Sequence, residues 1–218
     1  MIGTATREPV LVDVDTAAAM VRPYAWLIDR VGADGIKLTA AGYVPPVHVE
    51  AAFTELDLAD AWIGKGNRED LTIPVLHLRE SAQRMGLLRK HRGRLSVTAQ
   101  GKAVRSDPAA LWWHLAERMP PTSTDQCEQQ AGLLYLIAVA AGEDDPDGFV
   151  AEMLDVIGWM NGDGTPIKRS SASRAALRTK DVLRRLRLLG WGRGLDRSER
   201  ITPEATSFAR AAVRSWPV

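Results

Sequence analysis

The sequence contains little of what metal, cofactor or disulfide chemistry needs. Cys127 is the single cysteine among 218 residues. One cysteine excludes a disulfide within the chain and favours a reducing compartment. The four histidines are scattered, and no C-x₂-C or H-x₃₋₅-H spacing occurs. The sequence therefore predicts no metal site and no cofactor.

Long apolar runs are also missing. No run reaches the roughly 20 residues that a membrane-spanning helix needs. The longest candidate, AGLLYLIAVAAG at 131–142, predicts a buried helix. The first residues, MIGTATREPVLVDVD, contain acidic side chains and no long apolar core, unlike a signal peptide. These features predict a cytoplasmic protein with no membrane partner.

Familiar catalytic motifs are absent as well. No G-x-S-x-G occurs, and GKGNRED at 64–70 lacks the spacing of a phosphate-binding loop. EDDPD at 143–147 lacks the spacing of an EF-hand. We therefore predict a protein without catalytic activity.

Charge is present in quantity but unevenly distributed. The net charge is +1, yet residues 79–105 hold eight Lys/Arg and one acid, and residues 168–200 hold eleven Lys/Arg and three acids. The rest of the chain is strongly acidic. Separated blocks indicate a surface for a polyanion, an internal acid–base interface, or solvated helix faces.

The first basic block follows the pattern of a helix and a hairpin. Thr72 precedes a helix that places Val75, Leu78, Ala82 and Met85 on one face and that Gly86 ends. LLRKHRGRLSV then predicts a β-hairpin turning at Gly93, and Thr98 predicts the cap of the next helix. Earlier, GIKLTAAG predicts a short strand at 36–38 with Thr39 as a helix cap.

The second half repeats this order. Helices are predicted over about 127–141, 148–160 and 173–189, with a hairpin over 190–201 and a last helix starting at Thr202-Pro203. PPTSTDQ predicts a boundary between domains 1–120 and 121–218. The predicted fold class is mainly α with short β-hairpins, arranged as tandem winged-helix-like units, a variant of the helix-turn-helix.

Several stretches resemble a known family. DGIKLTAAGYVPP, IGKGNREDLTIPVLHLRESAQRMGLLRKHRGRLSVTAQG, DPAALWWHLAERMP, AGLLYLIAVAAG and IGWMNGDG are similar to the C-terminal region of actinobacterial proteins of the plasmid open-reading-frame-three family, the pRi type. The likeness covers most of residues 30–164, and the segment Gly64–Asp70 is its most specific part. The N-terminal domain that gives the family its name is not expected in this chain. The resemblance implies kinship and a bacterial cytoplasmic setting, and it supplies no catalytic residues.

The winged-helix interpretation assigns candidate nucleic-acid contacts, because a third helix can enter the major groove while the hairpin contacts the backbone. The basic residues of the third helices lie outside the apolar faces of those helices, so they are expected to point away from the core. Gln83 is the side chain suited to adenine. The candidates are Arg79, Gln83, Arg84, Arg89, Lys90, Arg92, Arg94, Arg178, Lys180, Arg184, Arg185, Arg187 and Arg193.

Two adjacent tryptophans offer a different surface. Trp112 and Trp113 point about 100° apart on a helix, so both cannot lie at the centre of one narrow apolar face. Each is a candidate interface residue, and at least one of them is expected at an interface if the other fills the core between helix and hairpin. We therefore predict a DNA-binding or regulatory protein whose partner is double-stranded DNA. The alternative is an interaction scaffold whose winged helices bind protein partners or a second copy of the chain.

Overall fold

The chain is mainly helical with small antiparallel sheets, which confirms the broad fold class. The computed structural model describes residues 11–59, 62–191 and 199–216, with Trp191 described by its backbone alone. The helices are α1 (Val14–Val31), α2 (Pro46–Glu55), α3 (Ile73–Arg84), α4 (Ala99–Val104), α5 (Pro108–Ala116), α6 (Gln126–Ala141), α7 (Pro146–Val156), α8 (Arg169–Ala175), α9 (Leu177–Arg185) and α10 (Pro203–Arg214). The strands are β1 (Ile36–Lys37), β2 (Leu88–His91), β3 (Arg94–Val97), β4 (Leu189–Trp191) and β5 (Glu199–Ile201).

Two compact units divide the chain. The central unit is Val21–Leu111, and the terminal unit combines Met1–Met20 with Trp112–Val218. The boundaries between the two units therefore follow Met20 and Leu111. The domains 1–120 and 121–218 stay a prediction about organisation.

A three-stranded antiparallel sheet forms one edge of the central unit. Its strand order is β1-β3-β2, with Ile36 opposite Leu95 and Leu88 opposite Val97. Ile36, Leu88 and Leu95 are buried in the core. Gly35 permits the close approach of β1, because its φ is 70° and a β-carbon there would collide with the carbonyl oxygen of Leu95.

The predicted third helix of the first half is α3, and its apolar face is confirmed. Val75, Leu78, Ala82 and Met85 are all buried. Gly86 ends the helix with a φ of 71°, as a left-handed C-terminal residue should. The hairpin turns at Gly93 as predicted, between β2 and β3.

The helix cap predicted at Thr98 is also confirmed. The hydroxyl of Thr98 accepts a hydrogen bond of 2.9 Å from the backbone N–H of Gly101, at the start of α4. The cap predicted at Thr39 is wrong. Thr39 instead lies in a turn, where its backbone N–H donates to the carbonyl of Tyr43, and the next helix begins at Pro46.

The terminal unit is built on α6, which packs against α7 and α10. Its core includes Trp112, Leu136, Leu154, Leu183 and Phe208, all fully buried. The single helix predicted over 173–189 is wrong in its bounds. The structure has two helices there, α8 and α9, which meet at Ala176.

The C-terminal ends of α3 and α9 correspond at an offset of 101 positions, since α3 ends at Arg84 and α9 at Arg185. In the first, the N–H of Leu87 donates to Ala82 at 2.9 Å; in the second, the N–H of Leu188 donates to Leu183 at 2.9 Å. These are the bonds that close a helix C-terminus. The equivalent positions within the two helices are therefore directly comparable.

The strands that follow also correspond. Thr98 donates its backbone N–H to Leu87, and Thr202 donates its own to Leu188, both at 3.0 Å. Each hairpin therefore returns to the end of its third helix and then enters another helix. The connections differ, because two residues join β2 to β3 while seven separate β4 from β5.

Candidate nucleic-acid interface

The hairpin formed by β2 and β3 in the central unit exposes a set of cations. Side chains alternate between the faces of a strand, so Arg89, His91 and Arg94 share the face opposite to Leu88 and Leu95. The register places His91 across from Arg94, which in turn lies across from Lys37 on β1. The members of this basic hairpin surface are all exposed: Lys37, Arg89, Lys90, His91, Arg92 and Arg94.

Among the described residues, the partners of the cations on this surface are carbonyls rather than carboxylates. A guanidinium nitrogen of Arg94 donates to the carbonyls of Asp34 (2.6 Å) and Gly35 (3.3 Å), and the ammonium of Lys90 donates to the carbonyl of Gly42 (3.2 Å). Carbonyl partners brace the hairpin without neutralising it. No acidic residue occurs between Glu80 and Asp107.

No carboxylate in the described part of the chain pairs with the four Lys/Arg side chains of β2, its turn and β3. The side chains of Arg89 and Arg92 have no hydrogen-bond partner among the described residues either. An unpaired arginine can place five donors against a phosphate or a base edge. The hairpin is therefore suited to a polyanion.

The third helix of the central unit is less basic than its sequence indicates. Arg79 is buried and donates to the carboxylate of Glu69 at 2.6 Å, contrary to the expectation that it points away from the core. Its second guanidinium nitrogen donates to the side-chain oxygen of Gln83 at 2.6 Å. Arg84 lies 3.7 Å from Glu80. The guanidinium of Arg79 is therefore bonded to both Glu69 and Gln83, so neither Arg79 nor the side-chain oxygen of Gln83 is free for a base edge.

Glu69 explains why Arg79 turns inward. The side chain of Glu69 is fully buried, and its second oxygen accepts the backbone N–H of Val44 at 2.7 Å. A buried carboxylate is stable only when it is paired and hydrogen-bonded. Glu69 and Arg79 therefore join the loop before α3 to α3 itself and to the segment before α2. The GKGNRED segment therefore supplies Glu69 to a structural contact.

Lys180 occupies the position in α9 that Arg79 occupies in α3. It too is buried, so the expectation that it faces outward is wrong. Its ammonium contacts both carboxylate oxygens of Asp147 (2.8 and 2.9 Å), Glu199 (2.9 Å) and the hydroxyl of Ser173 (2.9 Å). These partners use all the donors of an ammonium group.

Glu199 on β5 is the centre of this ionic cluster. It accepts hydrogen bonds from Arg184 at 2.6 Å and from the hydroxyl of Tyr135 at 3.2 Å. Burial alone would raise the pKa of Glu199, but Lys180 and then Arg184 hold that pKa below its usual value. Burial and the nearby Glu199 raise the pKa of Tyr135, so its hydroxyl stays protonated and donates. A cavity of about 330 Å³ adjoins the cluster.

The remaining cations of the terminal unit are less uniform. Arg178 pairs with Glu128 at 2.8 Å, and Arg184 also pairs with Asp181 at 3.2 Å. Arg185 is half-buried and Arg187 is exposed. Arg193 lies outside the described residues. The structure therefore gives this unit internal partners for several of the cations that the sequence assigns to DNA.

The two adjacent tryptophans differ in burial. Trp112 is fully buried and fills the core, so of the two candidate interface residues only Trp113 keeps that prediction. It packs edge-on against Phe208 at 5.3 Å between ring centres and against Trp113 at 5.0 Å. Its indole N–H points to the sulfur of Met20 at 3.1 Å. Trp113 is half-buried.

Other kinds of site receive no support from the described residues. Within 11–59, 62–191 and 199–216, no three His, Cys, Asp or Glu side chains are grouped to hold a metal ion. The same residues include no helix that is both long and apolar enough to span a membrane.

Comparison with protein-family models, curated proteins and solved structures found no match. The resemblance to the plasmid family therefore stays a prediction.

Proposed function

We propose that the chain is a tandem winged-helix protein, on the basis of its element order. In the central unit, helix, strand, two helices and a hairpin follow one another as α1, β1, α2, α3 and β2–β3. This is the order of a helix-turn-helix extended by a β-hairpin wing. The terminal unit repeats the helices and hairpin as α6, α7, α8–α9 and β4–β5.

The proposed activity is non-catalytic binding of double-stranded DNA by the central unit. The observation that supports it is the basic hairpin surface, whose exposed cations have no carboxylate partner in the described chain. Such cations neutralise phosphates and release counterions, which favours binding with little dependence on sequence. A regulatory role in the bacterial cytoplasm fits this activity.

The direct test is fluorescence anisotropy of a labelled duplex of random sequence with the full chain. We expect an affinity in the micromolar range or better at about 50 mM salt, which falls steeply as salt is added. The double variant Arg89→Gln/Arg92→Gln should weaken binding at least tenfold. The matched control Arg118→Gln/Arg178→Gln removes the same charge from exposed positions of the terminal unit, and it should bind as the wild type does.

Absence of binding at that salt concentration would reject the proposal. Equal loss of affinity in the two double variants would also reject it, because net charge rather than the hairpin would then explain binding. Circular dichroism checks that each variant is folded before its affinity is compared.

A second candidate function is protein interaction through the terminal unit. The end of α7 and the turn after it expose Val156 (72%), Ile157 (52%) and Met160 (61%). Neighbouring exposed apolar side chains are typical of interaction surfaces. Sedimentation analysis tests this candidate: concentration-dependent self-association that Ile157→Ser/Met160→Ser abolishes would support it, and a monomer at all concentrations would remove self-association.

A further inference from the structure

The tip of the basic hairpin holds an arginine in a backbone conformation that arginine disfavours. Arg92 and Gly93 join β2 to β3, with φ angles of 47° and 72°. Two-residue hairpin turns with both φ positive suit the twist of the strands, and the first position is usually asparagine, aspartate or glycine. Side chains with a β-carbon are strained in this region. Arginine therefore occupies a position at which asparagine, aspartate or glycine would be less strained.

The strands of the hairpin are held in place, while the side chain at its tip contacts no other described residue. Arg94 donates to the carbonyls of Asp34 and Gly35, and Lys90 donates to the carbonyl of Gly42. Arg92 is exposed and has no partner among the described residues. Because the flanking residues are braced, the backbone from which Arg92 projects is held at a defined point. A cation carried on a braced turn loses less conformational entropy on binding than one on a mobile loop.

The dimensions of the tip indicate which part of a duplex it fits. Neighbouring strands are about 4.8 Å apart before their side chains are counted, so the two-stranded hairpin is too wide for a minor groove of about 6 Å. A single extended guanidinium fits that groove. The minor groove is narrowest and most negative in A·T tracts, where inserted arginine is favoured.

We propose that Arg92 enters the minor groove of A·T-rich duplex DNA while Arg89, His91 and Arg94 lie against the flanking phosphates. This inference rests on the proposed function, and it adds a preferred class of duplex. Preference would arise from groove width and potential, because the minor groove distinguishes A·T from G·C pairs only coarsely. Arg92 would thus be a specificity-determining residue.

The test compares two duplexes of equal length, one with a central A-tract and one with G·C pairs only. For the wild-type chain we expect about tenfold tighter binding to the A-tract. Arg92→Lys keeps the charge, but an ammonium is more strongly hydrated than a guanidinium. That variant should lose most of the preference while keeping its affinity for the G·C duplex. The matched control Arg118→Lys should keep both.

A second variant separates contact from folding. Arg92→Asn places a residue suited to the left-handed region at the tip, so we expect its Tm to rise by about 2–4 °C. Its affinity for the A-tract should nevertheless fall about tenfold. A small molecule that fills the A·T minor groove should displace the wild-type chain and have less effect on the Arg92 variants.

The outcomes distinguish the two proposals. Equal wild-type affinity for the two duplexes, with Arg92→Lys and Arg92→Asn binding like the wild type, overturns the minor-groove inference and leaves DNA binding intact. No binding to either duplex at about 50 mM salt overturns both.

Discussion

The two helix–hairpin segments share a backbone design and use their basic residues in opposite ways. In the central unit the cations lie on the hairpin and are exposed; in the terminal unit Lys180 and Arg184 are directed to an internal ionic cluster. Two segments of similar Lys and Arg content thus differ in structure. One forms an exposed basic surface without carboxylate partners among the described residues, and the other forms a network of ion pairs. The comparison supports the central hairpin as the place where a polyanion binds.

The difference begins at one strand position. If Thr98 and Thr202 are aligned, the fully buried Leu95 of β3 corresponds to Glu199 of β5. Leu95 attaches its strand to the core by apolar packing. Glu199 attaches its strand through Lys180, Arg184 and Tyr135. The terminal hairpin is therefore attached to α9 and α6 through charged and polar contacts, and we expect Lys180 and Arg184 to contribute to stability.

Removal of the inward cation should have the largest effect, and it should affect both units. Arg79→Met leaves the buried carboxylate of Glu69 unpaired, and Lys180→Met leaves Asp147 without its cation. Breaking a buried pair in this way costs about 3–5 kcal/mol. Urea denaturation followed by tryptophan fluorescence and circular dichroism measures the loss. A cost below about 1 kcal/mol for either variant would show that its pair behaves as a surface pair does.

Acid should distinguish the two hairpins with a smaller effect. The folded pKa of Glu199 is lowered, so its ionisation stabilises the fold at pH values above the unfolded pKa of about 4.3. That contribution is lost as the pH falls through the folded pKa. Glu199→Gln should destabilise the chain at pH 7, and its penalty should shrink toward pH 3. A penalty that is constant between these pH values would contradict the ionic attachment of β5. Leu95→Val, an apolar control in the central unit, should show such a constant penalty.

The smallest effect concerns the ends of the two third helices. Gly86 and Arg187 occupy the same left-handed position, with φ angles of 71° and 59°. Arg187→Gly should stabilise the terminal unit by less than about 1 kcal/mol, because relief of strain is partly offset by the entropy of the unfolded glycine. Gly86→Arg should destabilise the central unit by about 1–2 kcal/mol. Thermal unfolding of both variants measures the changes, and opposite signs to these would show that the two positions are not equivalent.

Helical period could have predicted the inward cations, although charge argued against it. Arg79 follows the core residue Val75 by four positions and precedes Ala82 by three. Lys180 has the same relation to Ala176 and Leu183. Residues at these spacings share a face of the helix. Sequence alone favours solvent for both basic residues, because burial of a charge needs a partner and their partners are distant in sequence.

The basic hairpin surface is easier to predict from sequence than the ionic cluster around Glu199. Its turn at Gly93 and its polar tip are local features, and a tip without apolar side chains has no means of burial. The contribution of Glu199 depends on the pairing of β4 with β5 and on helices α6, α7 and α9, so no local pattern reveals it. Thr39 shows the reverse error, since a local Thr signal predicted a cap where the chain forms a turn that closes on Tyr43.

The most direct test of the central claim is the salt dependence of duplex affinity for matched variants of the two units. Log affinity falls with log salt by about 0.9 for each phosphate contact. Arg89→Gln/Arg92→Gln in the central hairpin should therefore reduce this slope by at least about 0.9, the share of the phosphate contact of Arg89. Arg178→Gln/Arg187→Gln in the terminal unit should leave the slope unchanged. A slope that changes only with the terminal-unit variant, or with neither, would contradict the assignment of DNA binding to the central hairpin.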